Sequence, residues 1–235
     1  MNAIAANLAA VKSRMAHACR RVGREPSEVE LIAVSKTFPA QAVREAAEAG
    51  HTLFGESRLQ EAESKIPVLP AHLRWHFIGN VQRNKVRRML PLFEVIHAVD
   101  SLRLASYIDG VAAEIGLYPK VLLQVNIGRE QSKGGFEPDS FAEEIAPILA
   151  LPRLEVMGLM CIPPPGRTAE DSRPWFAAMR AMRDELQGRH ATPLPWLSMG
   201  MSDDFEVAIE EGATHVRVGS SIFGKRAYRV DGELG

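Results

Sequence analysis

Short apolar runs alternate with amphipathic helical stretches along nearly the whole chain, and this alternation restricts the fold more than any other feature of the sequence. A helix between two strands returns the chain to the same end of the sheet, so the strands it joins run parallel. The runs fall at 29–34, 52–54, 75–78, 95–99, 121–127, 154–162, 196–199 and 215–218. Most are near-continuously apolar, as strands covered on both faces must be. Between them the period changes to that of a helix. The predicted helices run from just after Pro39 to a stop at Gly50, over 57–66, after a cap at Asn80, from caps at Asp100 and Ser101 to Gly116, and over 138–149, 173–189 and 204–211. Glycine past a helix end and Asn, Asp or Ser before a helix start supply the local reasons. Ile4, Leu8, Val11, Met15 and Val22 put an amphipathic leading helix within residues 1–24.

Eight strand–helix units after a leading helix are the count of a closed (β/α)₈ barrel of the TIM type. An open doubly wound sheet is the competing architecture, and it lacks the dinucleotide fingerprint expected after its first strand. The length of 235 residues suits one such barrel. No Gly/Ser-rich linker divides the chain, and Pro163-Pro164-Pro165 reads as a stiff loop. Residues 1–235 are therefore expected to form one α/β domain, with 225–235 as a C-terminal tail.

Hydrophobic residues make up 46% and charged residues 24%, enough for an ordinary core. A net charge of -1 gives no global reason to expect nucleic acid or an acidic membrane surface as partner. Arg83, Lys85, Arg87 and Arg88 cluster, which reads first as a solvated helix face and second as a nucleic-acid patch. No run approaches the roughly 20 apolar residues of a membrane span, and no basic start leads into an apolar run. A cytoplasmic location follows as the expectation. Cys19 and Cys161 have neither a disulfide nor a zinc spacing. His72 and His76 are four apart without an HExxH glutamate, so no metal is expected.

Barrels of this type work through the loops that follow their strands. The loops after the seventh and eighth strands often bind phosphate. Here they read Gly200-Met201-Ser202-Asp203 and Gly219-Ser220-Ser221. Glycine lets the backbone approach a ligand closely, and serine hydroxyls add donors. Each loop alone could equally be a helix cap. Lys36 follows the first strand into the same mouth. An isolated lysine there would be a surface residue. Beside a phosphate site, a partly desolvated amine can attack an aldehyde, and the combination suggests pyridoxal 5′-phosphate. Arg217, on the eighth strand, would face the cofactor ring or else close a salt bridge at the mouth. A permanent cation at the ring nitrogen would disfavour its protonation and weaken the ring as an electron sink.

The chain resembles the pyridoxal phosphate homeostasis proteins, small barrels similar to the N-terminal domain of alanine racemase. The resemblance rests on Ala33-Val34-Ser35-Lys36, Phe54-Gly55-Glu56 with Gln60-Glu61, and Trp75-His76-Phe77-Ile78-Gly79. It continues through Val125-Asn126-Ile127, Gly158-Leu159-Met160, Leu197-Ser198-Met199-Gly200-Met201-Ser202-Asp203-Asp204 and Val216-Arg217-Val218-Gly219 with Ile222-Phe223-Gly224. It implies Lys36 as the Schiff-base lysine, Ser202, Gly219 and Ser220 around the phosphate, and Arg217 near the pyridine nitrogen. It further implies Asn126, His76 and Met160 as pocket lining, and a monomer. Ser57 stands where the family often has Asn, and Ser132-Lys133-Gly134-Gly135 where it often reads Ser-Lys-Ser-Gly.

Two functions fit such a site. One is a non-catalytic carrier that buffers pyridoxal phosphate and delivers it to apo-enzymes that depend on it. The other is an amino-acid racemase, which needs an acid and a base on opposite faces of the substrate. In the racemases a tyrosine from a second domain serves one face. Tyr107, Tyr118 and Tyr228 fall in a helix, a loop and the tail, so the carrier is expected. A phosphosugar enzyme using the same phosphate loops is a third, weaker alternative.

Overall fold

A computed structural model of the chain describes residues 2–130 and 133–224. Met1, Gln131, Ser132 and residues 225–235 lie outside the described residues, and with them the expected tail, Tyr228 and one member of the 132–135 loop. The described strands form a closed parallel barrel in the order β1-β2-β3-β4-β5-β6-β7-β8. They are β1 (Glu30–Val34), β2 (Leu53–Glu56), β3 (Arg74–Phe77), β4 (Val95–Val99), β5 (Lys120–Gln124), β6 (Glu155–Met160), β7 (Trp196–Ser198) and β8 (His215–Val218). β1 closes the sheet by pairing with β8 from Glu30↔His215 to Ala33↔Val218. The helices are α1 (Ala3–Arg21), α2 (Ala40–Glu48), α3 (Leu59–Lys65), α4 (Val86–Met89), α5 (Leu102–Ile115), α6 (Pro138–Leu149), α7 (Arg173–His190), α8 (Phe205–Glu210) and α9 (Ser220–Phe223).

Two apolar layers follow from the two-residue period of the strands. Outward residues such as Leu31, Ala33, Phe54, Trp75, Phe77, Val216 and Val218 join the helices in one large core. A smaller cluster of Val95, Ala98, Leu122 and Met160 fills the barrel interior. Leading helix α1 starts at Asn2, whose side chain accepts from the Ile4 amide. It buries Leu8, Val11 and Met15 and packs on α2, α8 and α9, the helices flanking the β8–β1 seam.

Three local differences from the sequence expectation have physical reasons. β2 extends through Gly55 and Glu56, which the sequence placed in the loop after it. Gly55 can stay in the strand because it lacks a Cβ, which would lie 2.8 Å from Ile32 Cγ2. Asn80 caps no helix; the chain passes through a short 3-10 turn after Gln82 before the one-turn α4. β5 stops at Gln124, so Asn126 lies beyond the strand, where its amide donates to the Phe136 carbonyl. The basic cluster is a solvated face: Arg88 pairs with Glu63 and Arg87 with Glu114. Among the described residues no helix is long and apolar enough to cross a membrane.

Two predictions follow. Gly158 sits at φ +153°, and a Cβ there would lie 1.9 Å from the Trp196 carbonyl oxygen of the adjoining strand. Gly158→Ala should destabilise the barrel by about 1–3 kcal/mol or more in urea unfolding, the usual range for forced overpacking. Burial holds His51 at about 4 and His76 at about 3, both below the ordinary 6.5. The unfolded chain therefore takes up protons first, so both histidines contribute stability above about 6.5 that is lost as pH falls through this range. The unfolding free energy from urea titrations should drop from pH 7 to pH 5, by at most about 1.4 kcal/mol per pH unit for each histidine. A flat profile would contradict neutral, buried rings.

Candidate functional site

The C-terminal ends of the strands open into a cavity of about 260 Å³. Lys36, Ser202, Arg217, Gly219 and Ser220 all line it, with Val34, Phe38, Ile78 and Met201 as apolar walls. A cleft of about 580 Å³ adjoins it and shares Ile162, Met201 and Asp203. β1 delivers Lys36 by simple alternation. Ile32 and Val34 are fully or nearly buried on its inner side, and Lys36 is the next inward position, half-buried at the mouth.

The two serine loops are tied to each other. The Gly219 amide donates to Ser202 Oγ at 3.2 Å. Asp204, rather than Ser202, organises the first loop: its carboxylate accepts from the Met201 amide at 2.7 Å and from Ser172 Oγ at 2.9 Å. Gly200 turns the chain at φ +90°, where a Cβ would meet Ala208 Cβ at 2.5 Å. At Gly219 a Cβ would stand 3.3 Å from the Val34 carbonyl oxygen, a tight approach between two residues that both line the cavity. Ser220 is exposed at the rim.

Arg217 is buried at 5% exposure and makes no ion pair among the described residues. The salt-bridge alternative for this residue therefore falls away. Its guanidinium donates to Ser198 Oγ at 2.5 Å and to the Cys161 carbonyl at 2.9 Å. Burial lowers its pKa from the ordinary arginine value. Arginine has five N–H donors, and these two neutral acceptors leave others for the cavity it lines.

A hydrogen-bonded chain runs inward from it. Ser198 Oγ lies 2.9 Å from His97 Nδ1, and His97 Nε2 lies 3.0 Å from His76 Nδ1. Having accepted from Arg217, the Ser198 hydroxyl keeps a hydrogen and a lone pair with which to meet His97 Nδ1. Burial lowers the pKa of both rings and so favours their neutral form.

His76, Asn126 and Met160 do not line the cavity with Lys36. His76 is fully buried against His97. Met160 packs on Val95, Ala98 and Leu122. Asn126 donates to the Glu130 carbonyl at 3.0 Å and to Glu137 at 3.3 Å. Cys161 is a core residue whose thiol burial pushes up to about 12, which leaves it inert. Among the described residues no three His, Cys, Asp or Glu side chains are arranged to hold a metal. Ser198 and His97 were missed as site residues. The available signal was a polar side chain at an inward position of an otherwise apolar strand.

A cation, an amine, hydroxyls and a tight glycine wall around one small cavity suit an anionic ligand with an electrophilic carbon. The sequence profile described as "Alanine racemase, N-terminal domain" matches residues 2–227. The "Pyridoxal phosphate homeostasis protein" of Aquifex aeolicus is 45% identical over 222 residues, covering 94% of this chain and 97% of that protein. The solved structure of PipY of Synechococcus elongatus without PLP superposes with a TM-score of 0.85 at 41% identity, covering 94% of this chain and 100% of the other. PipY with PLP bound superposes with a TM-score of 0.83 at 40% identity and the same coverage. At these identities and over nearly its full length, the chain belongs to the pyridoxal phosphate homeostasis protein family, built on the barrel of the alanine racemase N-terminal domain.

Proposed function

We propose that this protein binds pyridoxal 5′-phosphate as a Schiff base on Lys36 and buffers its supply without robust catalysis. The observation that carries the reading is the convergence of Lys36, Ser202, Arg217, Gly219 and Ser220 on one cavity at the C-terminal mouth. The cofactor bound to PipY and the names of the relatives support it. When bound, pyridoxal phosphate supplies an aldehyde for the amine and a ring that can act as an electron sink.

The residues present fit that group. The Gly219 wall, which a Cβ would crowd, and the two serine loops suit the phosphate. Lys36 reaches the same space from β1 and suits the aldehyde. Arg217, held by Ser198 and Cys161, keeps a cation where we place the ring nitrogen. A cation there opposes protonation of that nitrogen, which suits holding the cofactor better than stabilising a carbanion. Of the expected lining residues that stand outside the cavity, His76 connects to Arg217 through His97 and Ser198. The carrier works as a cytoplasmic monomer, and apo-enzymes that need the cofactor are its recipients.

Purified protein mixed with pyridoxal phosphate, reduced with borohydride and peptide-mapped should carry the label on Lys36. Lys36→Ala should abolish it, and a label elsewhere would sink the reading. Arg217→Met should weaken cofactor binding about tenfold in a spectrophotometric titration, as expected for losing one charge-assisted hydrogen bond. Time-dependent racemisation of any amino acid, lost in Lys36→Ala, would favour the enzyme alternative.

A further inference from the structure

The turn that carries Lys36 is fixed from behind by charged residues of α3 and β2. Lys65, at the end of α3, is buried at 7% exposure. A lysine ammonium has three hydrogens to donate. The acceptors are the Ser35 carbonyl at 3.0 Å, Glu56 Oε1 at 2.8 Å and Glu61 Oε2 at 3.1 Å. Ser35 Oγ also donates to Glu56 Oε1 at 2.7 Å. Glu61 Oε2 in turn accepts the Thr37 amide at 2.7 Å.

The Ser35 carbonyl belongs to the peptide group before the Lys36 Cα, and the Thr37 amide to the one after it. Both peptide planes on which the Lys36 side chain turns are therefore held by one Lys65–Glu61 pair. Thr37 itself has φ +70°, a conformation a β-branched residue adopts only when its surroundings impose it. Glu56 anchors the pair to the barrel, since it is fully buried on β2. Partial burial alone would raise the Glu61 carboxyl pKa; the Thr37 amide and the Lys65 ammonium outweigh it and hold the group below the usual range, as a carboxylate.

We infer that Glu56, Glu61 and Lys65 are positioning residues that aim the Lys36 amine into the cavity. The inference rests on the reading of Lys36 as the Schiff-base lysine. In that reaction the neutral amine adds to the aldehyde carbon, the carbonyl oxygen leaves as water, and C=N replaces C=O without any oxidant or reductant. The clamp acts on this step alone. Its bonds go to Ser35 and Thr37 rather than to Ser202, Arg217, Gly219 or Ser220, where the proposed function places the phosphate and ring.

The test compares two ligands. Pyridoxine 5′-phosphate has the ring and phosphate but no aldehyde, so it reports on the cavity without Lys36 chemistry. Glu61→Ala should lower pyridoxal phosphate affinity about tenfold, the loss expected for a charge-assisted hydrogen bond, and leave pyridoxine phosphate affinity within about twofold. Glu61→Gln keeps an acceptor for the Thr37 amide and should fall between Glu61→Ala and the unchanged protein. Unchanged pyridoxal phosphate affinity in Glu61→Ala, or an equal loss for both ligands in both variants, overturns the clamp. Borohydride trapping on the unchanged protein separates the two claims. Label on Lys36 with no effect of Glu61→Ala removes the clamp alone, whereas label elsewhere removes the Lys36 reading and the clamp with it.

Discussion

When a parallel sheet closes on itself, every strand is hydrogen-bonded on both sides and covered on both faces. β1 meets β2 on one side and β8 on the other, and the seam is continuous over Glu30 to Ala33. All eight strands then end at the same rim. Residues far apart in sequence, Lys36 after β1 and Ser202 and Ser220 after β7 and β8, come together there because β8 is the neighbour of β1. The cavity is thus a consequence of closure. An open sheet of the same elements would leave β1 and β8 unpaired with each other and would need another way to join these loops.

Closure also forces inward residues into a space without bulk water. Most inward positions accept this by being apolar. Arg217, Ser198, His97 and His76 do not, and a buried polar group is tolerated only when hydrogen-bonded. Their connected chain meets that condition from the guanidinium as far as His76 Nδ1. It also gives Arg217 a single orientation without a carboxylate partner. A carboxylate would neutralise the charge that an anionic ligand needs; the serine hydroxyl and the Cys161 carbonyl orient it and leave the charge in place. On the β2 side of Lys36 the solution is different. Lys65, Glu56 and Glu61 are bonded to one another behind the wall, where they bear on the backbone of the Lys36 turn.

The architecture was legible because its signals are local and repeated. Apolar runs of strand length, helical periods between them, Ser101 as a cap and Gly116 as a left-handed helix end are each readable from a few neighbouring residues. Where one residue had to stand for a whole local structure, the reading slipped. Asn80 looked like a cap, yet the chain needs a 3-10 turn before α4. Gly55 and Glu56 looked like loop residues, yet the lack of a Cβ beside Ile32 lets β2 continue through them.

The sequence by itself pointed to the eight-strand barrel and to five of the residues that line one cavity, because strand order dictates which loops share a rim and alternation dictates which residues face inward. Tertiary structure alone decided which polar groups meet. Periodicity says that His76 and Met160 point inward but not that they reach the cavity, and neither lines it. It says nothing of Ser198 lying within reach of both Arg217 and His97, or of Lys65 reaching Ser35 and Glu61 at once. Those meetings depend on barrel shear and helix placement, which set distances between residues that no local pattern relates.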